Sequence, residues 1–121
     1  MLKGQMMVTI EDSDKVDVIA VNKNNGKVIL GITDHLVWDN SADHLLLLKK
    51  KINLYLQFIE SGQIYSSYPE ARNRLIEITH YTKFPIDNIG KNFIKKANEF
   101  TKGLGITITT IQYEPNSMDS V

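Results

Sequence analysis

The chain has 121 residues, 42% of them hydrophobic, which suffices for one domain with a packed core and is too little for two ordinary ones. Fourteen Lys and Arg side chains balance fourteen Asp and Glu, so no summed charge marks a nucleic-acid or anionic-membrane partner, and neither is expected. The absence of cysteine removes disulfides and a thiol nucleophile, no apolar run reaches the roughly 18 residues of a membrane span, and a cytoplasmic protein without a cofactor is the expectation.

Residues 1–14 lack sustained periodicity and read as a flexible N-terminal segment in which Val8-Thr9-Ile10 could add a short edge strand. A single domain follows over residues 15–113, and residues 114–121 read as a polar, disordered tail. Val16 to Asn22 and Val28 to Thr33 are rich in β-branched residues and flank an Asn25-Gly26 pair that supplies the positive φ angles of a tight turn, which predicts a β-hairpin. Val28, Leu30 and Ile32 share one face of the second strand and should meet the helices.

Asp39, Asn40 and Ser41 are all good N-cap types, and Asp43 puts a carboxylate in the first turn against the positive helix end. With no Pro or Gly up to Ser61, the first helix should run roughly 20 residues and end where Gly62 takes a left-handed conformation. Arg74 to Lys83 is the next strand, with Ile76, Ile78 and His80 on one side, and Pro85 ends it. From Ile86 to Gly103 a second, amphipathic helix carries Lys91, Lys95 and Lys102 as a solvated row opposite its apolar face. Leu104, Ile106 and Ile108 then alternate until the phase slips to Ile111 and Tyr113, which predicts a β-bulge at Thr109-Thr110. The fold class is α+β, a two-layer β-β-α-β-α-β domain with a four-stranded mixed sheet and two helices packed on one face.

The first helix has more apolar surface than a sheet can cover. Leu45, Leu48, Ile52, Tyr55, Leu56 and Ile59 share one arc, while Leu47, Leu54 and Phe58 lie nearly opposite, with Lys51 between them on one flank. A helix on a sheet needs an apolar stripe a little over about 100° wide, and these two sets span about twice that. Leu47, Leu54 and Phe58 are therefore the candidate interface, for a second copy of the chain or for another protein. The alternative is cover from the second helix, from Ile64 to Tyr68 or from a terminus of the same chain.

Asp34-His35 and Asp43-His44 bracket Trp38 and Asp39, so Asp34, His35, Trp38, Asp39 and His44 form the candidate polar cluster. Carboxylates beside imidazoles suit metal-assisted or acid-base chemistry, and a small enzyme at residues 34–44 is the alternative function. The pattern argues against it. Two His nine residues apart match no compact zinc motif, His80 lies in a distant strand, and no metal ligand is assigned. No nucleophile elbow, Walker loop or dinucleotide-binding turn accompanies them. Trp38 reads as a packing lid over the helix start, and Lys49-Lys50-Lys51 is spread around the helix axis.

The segments Ile32-Thr33-Asp34-His35-Leu36-Val37-Trp38, His44-Leu45 and Lys51 to Gly62 resemble a family of small bacterial proteins known as a domain of unknown function. The likeness is clearest over residues 15–69. Asp17-Val18-Ile19-Ala20 is similar to the family's first strand, with Ala20 where a glycine is expected. The resemblance implies a shared fold and a bacterial, cytoplasmic setting, and it supplies no catalytic residue. The expectation is an accessory protein that self-associates or holds a protein partner through its first helix.

Overall fold

The Asn25-Gly26 turn folds as its residues require. Gly26 has a φ of 74° and donates its N–H to the Asn22 carbonyl at 2.7 Å, and strands β1 (Val18–Val21) and β2 (Val28–Asp34) pair antiparallel on either side. The computed structural model describes residues 8–39 and 42–113, so the anticipated caps Asn40 and Ser41 and the tail at 114–121 lie outside the described residues.

After β2 come α1 (Ala42–Glu60), the short helix α2 (Gln63–Ser67), β3 (Ile76–Thr82), α3 (Asn88–Thr101) and β4 (Ile106–Gln112). The sheet order is β1-β2-β3-β4, with β2, β3 and β4 mutually parallel, giving the mixed four-stranded α+β architecture that the sequence predicts. Each parallel link runs through a long helix, because a tight turn cannot join parallel strands. The unanticipated helix α2 follows Gly62, whose φ of 81° ends α1 and turns the chain so that Ile64 is buried.

Two local expectations are corrected. No β-bulge interrupts β4: its register with β3 runs unbroken from Ile76 opposite Ile106 to Thr82 opposite Gln112. The phase slips because Thr110 stands on the inward row, where its hydroxyl meets His80 Nδ1 at 3.1 Å, while Ile111 points to the exposed face. Lys51, which the sequence places on a flank between the two apolar sets of α1, faces inward instead. It is fully buried and ion-paired with Asp17, so the inward stripe of α1 is His44, Leu48, Lys51, Ile52 and Tyr55.

Val28, Leu30 and Ile32 of β2 and Ile76 and Ile78 of β3 form the floor of the core, closed by Leu48, Ile52 and Tyr55 from α1 and Ile94 from α3. Full burial of each large apolar side chain contributes about 1.5–3 kcal/mol, so this layer dominates the stability of the domain. Leu47, Leu54 and Phe58 are half-buried and pack against the core from outside. Val8 to Ile10 do not form a strand, yet Ile10 is fully buried and its N–H reaches the Thr33 carbonyl at 2.9 Å. Among the described residues, no helix is long and apolar enough to cross a membrane.

Candidate functional site

Asp34 continues the inward row of β2 that begins with Val28, Leu30 and Ile32, and His80 continues the row of Ile76 and Ile78 on β3. Because the strands are parallel with Ile32 opposite His80, the two polar side chains meet at the carboxyl ends of β2 and β3. His80 Nε2 lies 2.7 Å from Asp34 Oδ2. His44, in the first turn of α1, places its own Nε2 2.7 Å from the same oxygen and 2.9 Å from Oδ1. Asp34 and His80 have no exposed surface and His44 retains 4%.

The loop between β2 and α1 is folded around this carboxylate. Asp34 Oδ1 accepts the Leu36 N–H at 3.0 Å, a local turn that reverses the chain and lays Trp38 on His44 with ring centroids 3.6 Å apart and planes 20° apart. Trp38 also meets His80 edge-on at 5.9 Å, and its Nε1 donates to Thr82 Oγ1 at 3.3 Å. The Thr82 hydroxyl donates in turn to the Phe84 carbonyl at 2.8 Å. Gly90 of α3 completes the enclosure: a Cβ there would stand 2.6 Å from Ile86 Cγ1 and 3.0 Å from the Trp38 ring. Trp38 is therefore the lid over the helix start that the sequence suggests, and it covers an ionic cluster.

Burial pushes the Asp34 carboxyl up, but hydrogen bonds and charge from His80, and then from His44, outweigh it and hold the group below the usual carboxylate range. The second ring nitrogen of His44, Nδ1, faces the Val37 carbonyl at 3.2 Å, so both ring nitrogens are engaged by oxygen atoms of the loop and of β2. His80 Nδ1 instead meets a hydroxyl, that of Thr110, which can donate to it.

A second buried ionic group lies beneath the middle of α1. Lys51 Nζ donates to Asp17 Oδ1 and to the Lys15 carbonyl, each at 2.5 Å, and Asp17 Oδ2 accepts the Thr33 N–H at 2.9 Å. The Tyr55 hydroxyl accepts the Asp17 N–H at 2.9 Å and donates to the Gly31 carbonyl at 2.6 Å. Burial raises the Asp17 carboxyl against the lowering pull of Lys51, and burial also raises the Tyr55 hydroxyl. These bonds hold Lys15 to Asp17 off the sheet ladder, which is why β1 begins at Val18 and not at Val16.

Of the five residues in the predicted polar cluster, Asp34, Trp38 and His44 come together. His35 points away and is exposed, its Nε2 3.2 Å from Glu11 Oε1. Asp39 is exposed at the rim of a pocket of about 300 Å³ lined also by Leu36, Val37, Asp43, His44 and Leu47. His80, placed by the sequence in a distant strand, is the member that was missed; its signal is its position at the end of the Ile76, Ile78 row. Among the described residues, no group of three or more His, Cys, Asp or Glu side chains is arranged to hold a metal ion, and both imidazoles turn Nε2 onto the carboxylate itself.

The helical layer carries two further depressions. Leu54 and Phe58 line one of about 400 Å³ with Asp14, Val16 and Gln57. A groove of about 300 Å³ runs between α1 and α3, lined by Ile52, Leu56, Phe93, Ala97 and Phe100, and the Phe100 ring at its edge is 75% exposed.

Comparison of the chain with curated proteins and with solved structures finds no match. The family model of DUF6572, a family of unknown function, matches residues 8–114, and the chain belongs to that family.

Proposed function

We propose that the chain is a small bacterial cytoplasmic interaction protein that holds a protein partner, or a second copy of itself, on its helical layer with α1 at the centre. The observation that carries this reading is the apolar groove between α1 and α3, where Phe100 stands largely in water above Leu56, Phe93 and Ala97. Covering one such side chain recovers about 1.5–3 kcal/mol, which makes an aromatic at the edge of an apolar groove a natural anchor for a contact. Leu54 and Phe58 extend the apolar surface along the other flank of α1, and Leu47 extends it toward the helix start.

In this reading the cluster of Asp34, His44, His80 and Trp38 is structural. Each imidazole nitrogen is already engaged inside the protein, so the cluster stiffens the loop that launches α1. The alternative, an acid-base enzyme at residues 34–44, would need His44 released from Asp34 and Val37 into the pocket that it borders. The bacterial and cytoplasmic setting rests on the resemblance of the strand-Asp-His-Leu-x-Trp-helix pattern and fits a chain without cysteine.

Size-exclusion chromatography with light scattering, together with affinity capture from a bacterial lysate, tests the proposal. Phe100→Ser and Leu54→Asp should retain the wild-type circular dichroism spectrum and lose whatever association the native chain shows. A native chain that remains a monomer, and whose captured proteins are the same with and without these substitutions, refutes it.

A further inference from the structure

Among the described residues the backbone of β4 is paired on one side only, and the fold covers half of its outer edge. Tyr113 donates its N–H to the Thr82 carbonyl at 3.0 Å, so by the alternation of a parallel ladder the odd-numbered residues of β4 turn their backbone groups toward β3. The even-numbered residues Ile106, Ile108, Thr110 and Gln112 turn theirs outward. Helix α3 satisfies the first of these: the Thr101 hydroxyl donates to the Ile106 carbonyl at 2.9 Å, and Asn98 Oδ1 accepts the Ile108 N–H at 2.8 Å. Among the described residues, no bond of this kind reaches the Ile108 carbonyl or the outward groups of Thr110 and Gln112. The strand itself, Ile-Thr-Ile-Thr-Thr-Ile-Gln, contains no charge and no proline, the devices by which edges are normally kept from pairing.

Charge flanks the uncovered half. Lys91 and Lys95 are exposed and lie seven and three residues before Asn98, on the face of α3 that borders the edge. Asn98 lies beside Ile108 and Thr101 beside Ile106, so α3 runs opposite to β4. Stepping back from Asn98 to Lys95 and Lys91 therefore advances along the strand from Ile108 toward Gln112. Glu99, the one acid of α3, is turned about 100° away from Asn98. The same lysines disfavour a second copy of the chain at this edge, since a two-fold pairing of β4 strands would bring two lysine rows together.

We propose that the edge of β4 from Ile108 to Gln112 takes an extended, acidic segment of a partner protein as an additional strand, with Lys91 and Lys95 pairing with its carboxylates. Main-chain hydrogen bonds at Ile108, Thr110 and Gln112 supply the attachment, and the lysines select the charge. Asn98 and Thr101 stop the added strand at Ile108 by occupying the groups beyond it. This surface is separate from the groove between α1 and α3 and stands without it.

The experiment follows backbone amide exchange by nuclear magnetic resonance on the full chain, with two capped hexapeptides as probes, alternating Glu-Val and alternating Lys-Val. The Glu-Val peptide should slow exchange at Thr110 and Gln112, and the Lys-Val peptide should not. The double substitution Lys91→Glu, Lys95→Glu should weaken Glu-Val binding about tenfold or more and admit the Lys-Val peptide. Gln112→Pro, which removes an outward N–H, should abolish binding with the amide spectrum of the core unchanged. Equal binding of both peptides, or no change at Thr110 and Gln112 with either, overturns the proposal. So does protection of these amides without peptide, whether it grows with protein concentration, which would assign the edge to a second copy, or vanishes on deletion of residues 114–121, which would assign it to the chain's own tail.

Discussion

His80 Nε2 and Asp34 Oδ2 are 2.7 Å apart with no exposure to solvent, although 46 residues separate them in the chain. The contact makes the pairing of β2 with β3 a polar as well as an apolar event. A slip of β3 by one residue would turn His80 to the opposite face and leave a buried carboxylate short of a partner, an error worth several kcal/mol. The pair thus acts on register in addition to stability.

Replacing Asp34 with Asn keeps the shape of the side chain and removes its charge. Two buried imidazoles then lose a shared charge-assisted acceptor, and the loss should be about 3–5 kcal/mol. Urea unfolding followed by circular dichroism reads this directly. A loss within about 0.5 kcal/mol, the range of an ordinary surface substitution, would show that the carboxylate does not organise the cluster.

The two buried carboxyls should act oppositely on the pH dependence of stability. Asp34 titrates lower in the folded chain than an unfolded aspartate, near 3.8, so its ionised form adds stability above that value, and the gain is lost as pH falls through the folded value. Asp17 is raised above 3.8 by burial, so its contribution is full below that value and fades as pH rises through the higher folded one. Urea midpoints measured from about pH 6 to about pH 2 should therefore fall less steeply on the acid side in Asp34→Asn. In Asp17→Asn the rise of stability with pH just above the unfolded value should be steeper than in the wild type. Acid limbs identical to the wild type in both variants would contradict these assignments.

The Lys51 and Asp17 pair lends itself to a double-mutant cycle. Lys51→Met alone leaves Asp17 buried with its main charge partner gone and should cost about 3–5 kcal/mol. Adding Asp17→Asn, which can still accept the Thr33 N–H, should recover a large part of that loss, so the two changes should couple by about 1 kcal/mol or more. Strictly additive losses would mean that the two charges do not stabilise one another.

Gly90→Ala sets helix propensity against space. Alanine favours an interior helical position by up to about 1 kcal/mol, but its methyl would enter the contact between Ile86 and Trp38, where overpacking costs about 1–3 kcal/mol. A net loss of stability is expected from thermal unfolding. A stabilised variant would show that Ile86 yields without disturbing the Trp38 lid.

The four strands and the two long helices were legible because each carries a local signal: Asn25-Gly26 for the hairpin, unbroken helix formers up to Ser61, Pro85 before α3. Asp34, Trp38 and His44 were legible as a group because one short loop contains them all. His80 was not, since its place in the cluster depends on strand register, a long-range property that no local window reports. Thr110 misled for the same reason: a polar residue on an inward row looks like a bulge until its partner across the sheet is known. Lys51 was hidden because a lysine among leucines looks like the border between two apolar sets, and only Asp17, 34 residues away, draws it inward. His35 was included on adjacency to Asp34, but neighbouring residues of a strand end point in opposite directions.

Trp38 is the sole tryptophan of the chain and rests face to face on the His44 ring. Imidazole at stacking distance quenches indole emission by electron transfer, most strongly when the imidazole is protonated. The protein therefore carries a built-in optical reporter: its ultraviolet fluorescence should be dim in the native state and brighten whenever the two rings part, by unfolding or by a ligand that draws the loop open.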